Sequence, residues 1–416
     1  MEVIVLDSGL EGEGTHHLNL SLAIHSALER GGIPFRIFGH RKMEASVAKL
    51  TGALPHFFCG FYDGEPLALS YSIPRSITAL IRNAVRNRGP HAAAVRGLND
   101  FFSRDLARLP GDVWKKENLL LLPSLSCNQF FGLAKHIASL AADKRPHIAC
   151  VFTFISTWTP TGAIVDNDEN IFSAARKLET LLGDKLAVYA ETAPLAAHYN
   201  RFFSRPVEVL PLPLPLPLAT AKPGTSENSN GLFPRISFLG YSRTAKGFHL
   251  LPAAIKICQS ASLRADFTVQ INHTHWEPLT IETERLLREI GNIRLVEGPL
   301  DPDQYFRELA SADVMLLPYD PQKYDIQGSG ILAECLAFSC PIIATEKILA
   351  AVCIERGTAA GEVFSPHNAE ALAQAIIDVV DNLPKHKRKA KENVQDALSR
   401  HSSDRYLSAL LSRLNS

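Results

Sequence analysis

Short runs of apolar residues alternate along this chain with longer segments whose apolar positions recur at helical spacing. The first run, Val3 to Leu6, leads through a glycine-rich loop into a helical pattern from about His17 to Arg30, closed by Gly31-Gly32. The next run, Phe35 to Phe38, completes a strand-helix-strand unit. Further strands are predicted at Leu119 to Leu122, Ile148 to Phe154 and Leu186 to Ala190, with helices between them such as Asn128 to Ala142 and Asn170 to Leu182. A second series follows, with strands at Arg235 to Leu239, Phe267 to Ile271, Ile293 to Val296, Val314 to Leu317 and Pro341 to Ala344. Its helices are expected at Phe248 to Ser260, Glu282 to Ile290, Pro302 to Ser311, from Ser329, and at Ala369 to Val380. Short apolar strands separated by amphipathic helices imply parallel, doubly wound sheets.

Between the two series stands Leu210-Pro211-Leu212-Pro213-Leu214-Pro215-Leu216-Pro217-Leu218 and a polar stretch to Gly231. Alternating prolines fit neither a central strand nor a helix, so this is an extended connector. The expected division is an N-terminal Rossmann-like domain over 1–210, a proline-rich linker over 211–230, a C-terminal Rossmann-like domain over 231–395, and a C-terminal helix over 396–416 that returns to the N-terminal domain. Two such domains facing a central cleft direct the carboxyl ends of both sheets toward one site.

The chain has 416 residues, with 43 Lys plus Arg against 43 Asp plus Glu. That balance argues against a general nucleic-acid binder. Seven scattered cysteines without a C-x-x-C spacing suit a reducing cytoplasm and no structural zinc. The first residues carry acids where a signal peptide needs basic ones, and no stretch approaches the roughly 18 apolar residues of a membrane span. A cytoplasmic protein is expected, with peripheral contact at the inner membrane face as a further option. Arg75, Arg82, Arg86, Arg88 and Arg96 form an acid-free, partly apolar segment suited to an anionic membrane or a lipid-linked acceptor; a solvated helix face or dimer surface is the alternative.

The chemistry concentrates in the second series. Gly328-Ser329-Gly330 opens a helix, Ile331 to Phe338, that is apolar on every side except for Glu334. Free amides at such a helix start suit a phosphate, and Glu334 lies one turn further on the same face, within reach of sugar hydroxyls. Ser329 as a plain N-cap, with Glu334 paired to a buried Arg or to backbone amides, is the competing account. The loop Gly240-Tyr241-Ser242-Arg243-Thr244-Ala245-Lys246-Gly247 follows the second series' first strand and offers two cations to a diphosphate.

With these motifs the chain resembles the GT-B glycosyltransferases, specifically the retaining, family 4-like enzymes that use nucleotide sugars. The resemblance covers nearly the whole length. It implies that Gly240, Arg243, Lys246 and Gly247 hold the diphosphate, that Gly328, Ser329, Gly330 and Glu334 meet phosphate and ribose, and that Glu297-Gly298-Pro299-Leu300 contacts the base, through Gly298 and Leu300 in particular. Arg243, Lys246 and Glu334 are the implied catalytic groups. The paired glutamates of the family stand eight apart, and here Ile326 occupies the first position, beside Asp325. The histidine that follows a first-domain strand is absent from Val151 to Thr157.

In the first series, Gly12, Glu13, Gly14, His16 and His17 lie at a strand's carboxyl end and are candidate cleft contacts; capping or solvent-facing histidines are the alternative. Ser124, Ser126, Asn128, Glu191 and Thr192 occupy similar positions after later strands. The triplets Asp166-Asn167-Asp168 and Asp301-Pro302-Asp303 precede helices and read as caps rather than metal ligands, so no metal and no cofactor is expected. The implied function is transfer of a sugar from a nucleotide-diphosphate sugar, such as a UDP- or GDP-sugar, to a glycan, lipid-linked or small-molecule hydroxyl, in polysaccharide biosynthesis for example. The alternatives are a nucleotide-sugar-binding protein without transfer and a sugar-nucleotide epimerase on the same fold.

Overall fold

The computed structural model describes residues 1–13, 15–61, 90–157, 167–215, 233–272 and 277–412, with side chains omitted at 90–95. Arg75, Arg82, Arg86, Arg88, Asp166, Gly14 and most of the 211–230 linker lie outside these residues. The chain divides into two units, Met1–Pro213 with Ser403–Ser416, and Leu214–Ser402.

In the first unit, strands β1 (Val3–Leu6), β2 (Phe35–His40), β3 (Leu54–Phe57), β4 (Leu119–Leu125), β5 (His147–Phe152), β6 (Leu186–Ala190) and β7 (Glu208–Val209) form one sheet ordered β3-β2-β1-β4-β5-β6-β7. Every pairing is parallel, with Val3 opposite both Phe35 and Leu119. β1 and β4 are buried along their whole length because they lie inside the sheet with both faces covered. The helices are α1 (His16–Arg30), α2 (Ala45–Thr51), α3 (Pro90–Ala107), α4 (Cys127–Ser139), α5 (Asp168–Leu182) and α6 (Ala193–Asn200).

In the second unit, β8 (Arg235–Phe238), β9 (Asp266–Ile271), β10 (Ile293–Glu297), β11 (Val314–Leu317), β12 (Ile342–Thr345) and β13 (Gly361–Phe364) form a parallel sheet ordered β10-β9-β8-β11-β12-β13. Its helices are α7 (Leu251–Ser260), α8 (Pro278–Arg288), α9 (Pro302–Ser311), α10 (Gly330–Ala337), α11 (Leu349–Glu355), α12 (Ala369–Asp381) and α13 (Leu383–Arg400). One core fills the face beneath α7 and α12 through Ile236, Phe238, Ile255, Leu372 and Ile376. The other gathers α10 with Met315, Leu317, Ile342 and Ala344.

The tail divides later than its sequence suggests. α13 runs unbroken to Arg400, and Ala397 is buried in the second unit's core, so residues 396–402 belong to that unit. Only the last helix, α14 (Ser403–Ser412), belongs to the first unit. There Tyr406, Leu407 and Leu410 join the core that contains Leu20, Ile24 and Leu28 of α1. Arg30 donates to Ser403 at 3.0 Å and to Asp404 at 2.5 Å, and the Tyr189 hydroxyl donates to the Ala409 carbonyl at 3.2 Å. Leu214, in turn, packs with the second unit, which puts the division within the proline run. Among the described residues no helix is long and apolar enough to cross a membrane.

Candidate nucleotide site in the second unit

The loop after β8 is held by its own backbone. Gly247 stands at φ 73°, and a Cβ there would sit 1.9 Å from the Pro318 carbonyl oxygen, so only glycine lets the β8 loop lie against the segment following β11. The same segment is tied by Asp320 N–H donating to the Ala245 carbonyl at 2.9 Å, and His367 Nε2 donates to the Pro318 carbonyl at 2.9 Å. Gly240 stands at φ 94°, where a Cβ would lie 2.7 Å from Ile331 Cδ1 and 3.5 Å from Lys246 Nζ. A side chain at Gly240 would therefore meet both the Lys246 ammonium and the first turn of α10, and glycine leaves that space open.

Arg243 and Lys246 bracket a 3-10 turn, Thr244–Lys246. The Arg243 guanidinium carbon lies 4.5 Å from the Tyr241 ring centre, and Lys246 Nζ lies 5.6 Å from that of Tyr319. Burial, reinforced by the nearby Arg243 charge and opposed by Glu334, pushes the Lys246 ammonium down to about 8. Arg243 Nε is buried without a hydrogen-bond partner among the described residues. Two cations brought together with an orphaned donor form an environment that an anion relieves.

α10 begins at Gly330 because Ser329 caps it, its hydroxyl accepting from Leu332 N–H at 3.3 Å. The Gly330 and Ile331 amides belong to the first turn, which no carbonyl of the helix can reach. Ile331 to Ala337 are all buried, including Glu334 at 5% exposure. One Glu334 oxygen accepts a short hydrogen bond from the Tyr305 hydroxyl on α9. Burial, aided by the Glu334 carboxylate, raises the Tyr305 phenol well above its ordinary value, so it remains a donor at any working pH.

Three residues that sequence reasoning passed over support this arrangement. Gln270, near the end of β9, accepts from Gly240 N–H at 2.7 Å and donates to the Gly298 carbonyl at 2.9 Å. Glu277 accepts from Thr244 N–H at 3.1 Å and from the hydroxyls of Thr244 at 2.9 Å and Thr280 at 3.1 Å. Burial works against its charge, but these bonds and the nearby Arg243 hold its carboxyl below the ordinary value. Tyr305 is the third. A polar residue within the apolar run Phe267 to Ile271 was the available signal for Gln270; nothing local marked the other two.

Gly298 is tied to this arrangement through Gln270, while the candidates of the first series lie in the other unit. Gly298 turns at φ 68° and its N–H donates to the Ile271 carbonyl at 2.8 Å, while Leu300 points inward and is 7% exposed. Ile326 N–H donates to Asp325 Oδ1 at 2.9 Å. In the first unit, Thr15 rather than a histidine caps α1. His17 is fully buried, its Nδ1 2.7 Å from Asp7 Oδ1, rather than facing solvent, and its ring lies 4.1 Å from that of His16, tilted by 35°. Glu13 N–H donates to Glu44 at 3.4 Å beside Gly12. Ser126 caps α4 in a capping box with Gln129, and burial pushes the Glu191 carboxyl up to about 8. Asp301 caps α9, accepting from Gln304 N–H at 2.8 Å, whereas Asp168 accepts from Ser156 and Arg201. Among the described residues no group of three or more His, Cys, Asp or Glu side chains could hold a metal.

Residues 233–382, which contain this whole arrangement, match the family described as "Glycosyl transferases group 1". No curated protein matches the chain. Among solved structures, Anabaena HepE in complex with UDP superposes with a TM-score of 0.59 at 14% identity, covering 99% of this chain and 100% of that one. Sucrose-phosphate synthase from Thermosynechococcus elongatus gives 0.64 at 14% identity over 100% and 99%. A glycosyltransferase from Rickettsia africae gives 0.59 at 14% over 99% and 98%. The fold is GT-B. Within the GT-B frame the β8 loop and the α10 start lie at the carboxyl ends of parallel strands, where ligands bind in open α/β sheets.

Proposed function

We propose that this protein is a glycosyltransferase that takes a sugar from a nucleoside-diphosphate sugar and passes it, with retention, to an acceptor hydroxyl. The reading is supported above all by Lys246 and the α10 start beside Gly240, with Arg243 nearby, in a segment that matches a glycosyltransferase family. HepE has been solved with UDP-glucose, which makes a UDP-sugar the first donor to try.

In this reading Arg243, Lys246 and the first-turn amides of α10 receive the diphosphate, and Glu334, held by Tyr305, accepts from ribose hydroxyls. The bond from the anomeric carbon to the phosphate oxygen breaks while a bond to the acceptor oxygen forms, and the acceptor's proton leaves to the departing phosphate or to solvent. Fixed cations placed where negative charge develops stabilise that departure. They also take the neutralising role that a metal plays elsewhere, so the reaction needs none.

A thermal-shift panel of UDP, GDP, ADP and their sugars tests the donor, because a ligand that prefers the native state raises the apparent stability. Turnover of the stabilising sugar nucleotide with glycan, lipid-linked and small-molecule acceptors then tests transfer. No shift with any nucleotide would refute the proposal. Ile326, in place of an acidic side chain, favours one other reading, a nucleotide-sugar-binding protein. Binding without transfer or slow hydrolysis would establish that reading, and interconversion of donors without acceptor would identify an epimerase.

A further inference from the structure

Gln270 is 2% exposed, and both ends of its side-chain amide are engaged by different loops. Its oxygen takes the Gly240 N–H at 2.7 Å from the loop that carries Arg243 and Lys246. Its nitrogen gives to the Gly298 carbonyl at 2.9 Å, in the loop after β10. The Gln270 carbonyl also accepts from the Ser242 hydroxyl at 2.8 Å, and the next residue's carbonyl accepts from Gly298 N–H at 2.8 Å. β9 lies between β8 and β10 in the sheet, so this one residue spans the carboxyl ends of three adjacent strands. Both glycines it grips have positive φ, 94° and 68°, and are the points where the two loops turn away from their strands.

We infer that Gln270 is a positioning residue that fixes the span between the phosphate-side loop and the loop after β10, and thereby makes the site select a whole nucleoside diphosphate over a bare diphosphate. The inference rests on the proposed donor site. Its chemistry requires an amide. A carboxylate at the same place still accepts from Gly240 but opposes the Gly298 carbonyl, and an aliphatic side chain leaves a buried N–H and a buried C=O without partners. A protonated glutamic acid, by contrast, has the shape of glutamine with one acceptor and one donor, and restores both bonds.

The test uses the full chain, with UDP, GDP and inorganic pyrophosphate as calorimetric probes. Gln270→Leu should weaken the preferred nucleoside diphosphate about tenfold or more, the equivalent of the two lost hydrogen bonds, with pyrophosphate changed by less than about threefold. Gln270→Glu should show the same loss at pH 8 and regain affinity relative to wild type as the pH falls and the carboxyl takes up its proton. A purely structural role would lower melting temperature and leave the ratio of nucleotide to pyrophosphate affinity unaltered; that result, or a Gln270→Glu defect independent of pH, overturns the inference. If the wild-type protein binds no nucleotide, the donor-site reading falls first and this inference with it. If wild type binds and both variants bind equally well, only this inference falls.

Discussion

Replacing Lys246 by Met keeps the length of the side chain and removes its charge, and the structure requires stability and binding to move in opposite directions. The ammonium falls from 10.5 to about 8, chiefly through burial. In full that corresponds to about 3 kcal/mol in favour of the neutral amine. Because the residue keeps partial contact with solvent, about 1–3 kcal/mol is the expected size. The sign follows from proton binding. Between pH 8 and 10.5 the unfolded chain holds this proton and the folded protein does not, so the penalty is complete below about 8 and is relieved as the pH rises through that window. At pH 7 Lys246→Met should therefore melt higher, by roughly 2–4 °C per kcal/mol for a domain of this size, and the difference should shrink toward pH 10. The same variant loses its charged contact with the diphosphate, worth about 1.5–3 kcal/mol, so the nucleotide dissociation constant should rise about ten- to a hundredfold at pH 7. Differential scanning calorimetry of the apo protein and titration calorimetry with the stabilising nucleotide give the two numbers on one preparation. In wild type, binding should also take up protons near pH 8, visible as a dependence of enthalpy on buffer. A lower apo melting temperature together with unchanged affinity would refute the reasoning and make Lys246 a structural cation.

Arg243→Ala should weaken the same nucleotide by about 1.5–3 kcal/mol with little change in apo melting temperature; equal affinity in titration calorimetry would remove it from the site. Glu334→Gln keeps the shape and still accepts from Tyr305, so donor affinity should fall with a modest stability change; a melting temperature lowered by the equivalent of about 3–5 kcal/mol would instead mark a structural ion pair. Activity should survive EDTA, and a complete loss restored by Mn or Mg would show that a metal takes part. Glu191→Gln should raise the melting temperature more at pH 8 than at pH 5. The half-buried acid keeps its proton to about pH 8 while the unfolded chain ionises, so wild type loses stability between pH 4.5 and about 8.

Both sheets were legible wherever a strand is buried on both faces, as Val3–Leu6, Leu119–Leu125 and Val314–Leu317 are, because a run of apolar residues is then obligatory. The strands that escaped notice are short or less apolar. Leu54–Phe57 is an edge strand with exposed Leu54 and a proline, and Gly361–Phe364 is only part-buried until its last residue. The chemistry followed the same divide. The β8 loop and the α10 start could be placed from sequence because Gly240 and Gly247 stand at positive φ and Ser329 caps its helix; their role toward a ligand is the proposal. The fixing residues could not, since Tyr305 meets Glu334 across 29 positions and Gln270 reaches Gly298 across 28. His17 shows the same limit: nothing in a histidine pair tells that one ring turns inward to Asp7, ten positions earlier.

The return of Ser403–Ser412 to the first unit affects how the chain acquires its structure during synthesis. The second unit is one uninterrupted stretch, Leu214–Ser402, and every strand and helix it needs has been made once Ser402 has emerged. The first unit starts earlier and finishes later. Leu20, Ile24 and Leu28 share a core with Tyr406, Leu407 and Leu410, so that part of the N-terminal core stays incomplete until residues 403–412 have been made. A chain released just before residue 403 would carry a finished second unit beside a first unit with its greasy seam open, the state in which a chaperone or a protease would find its target.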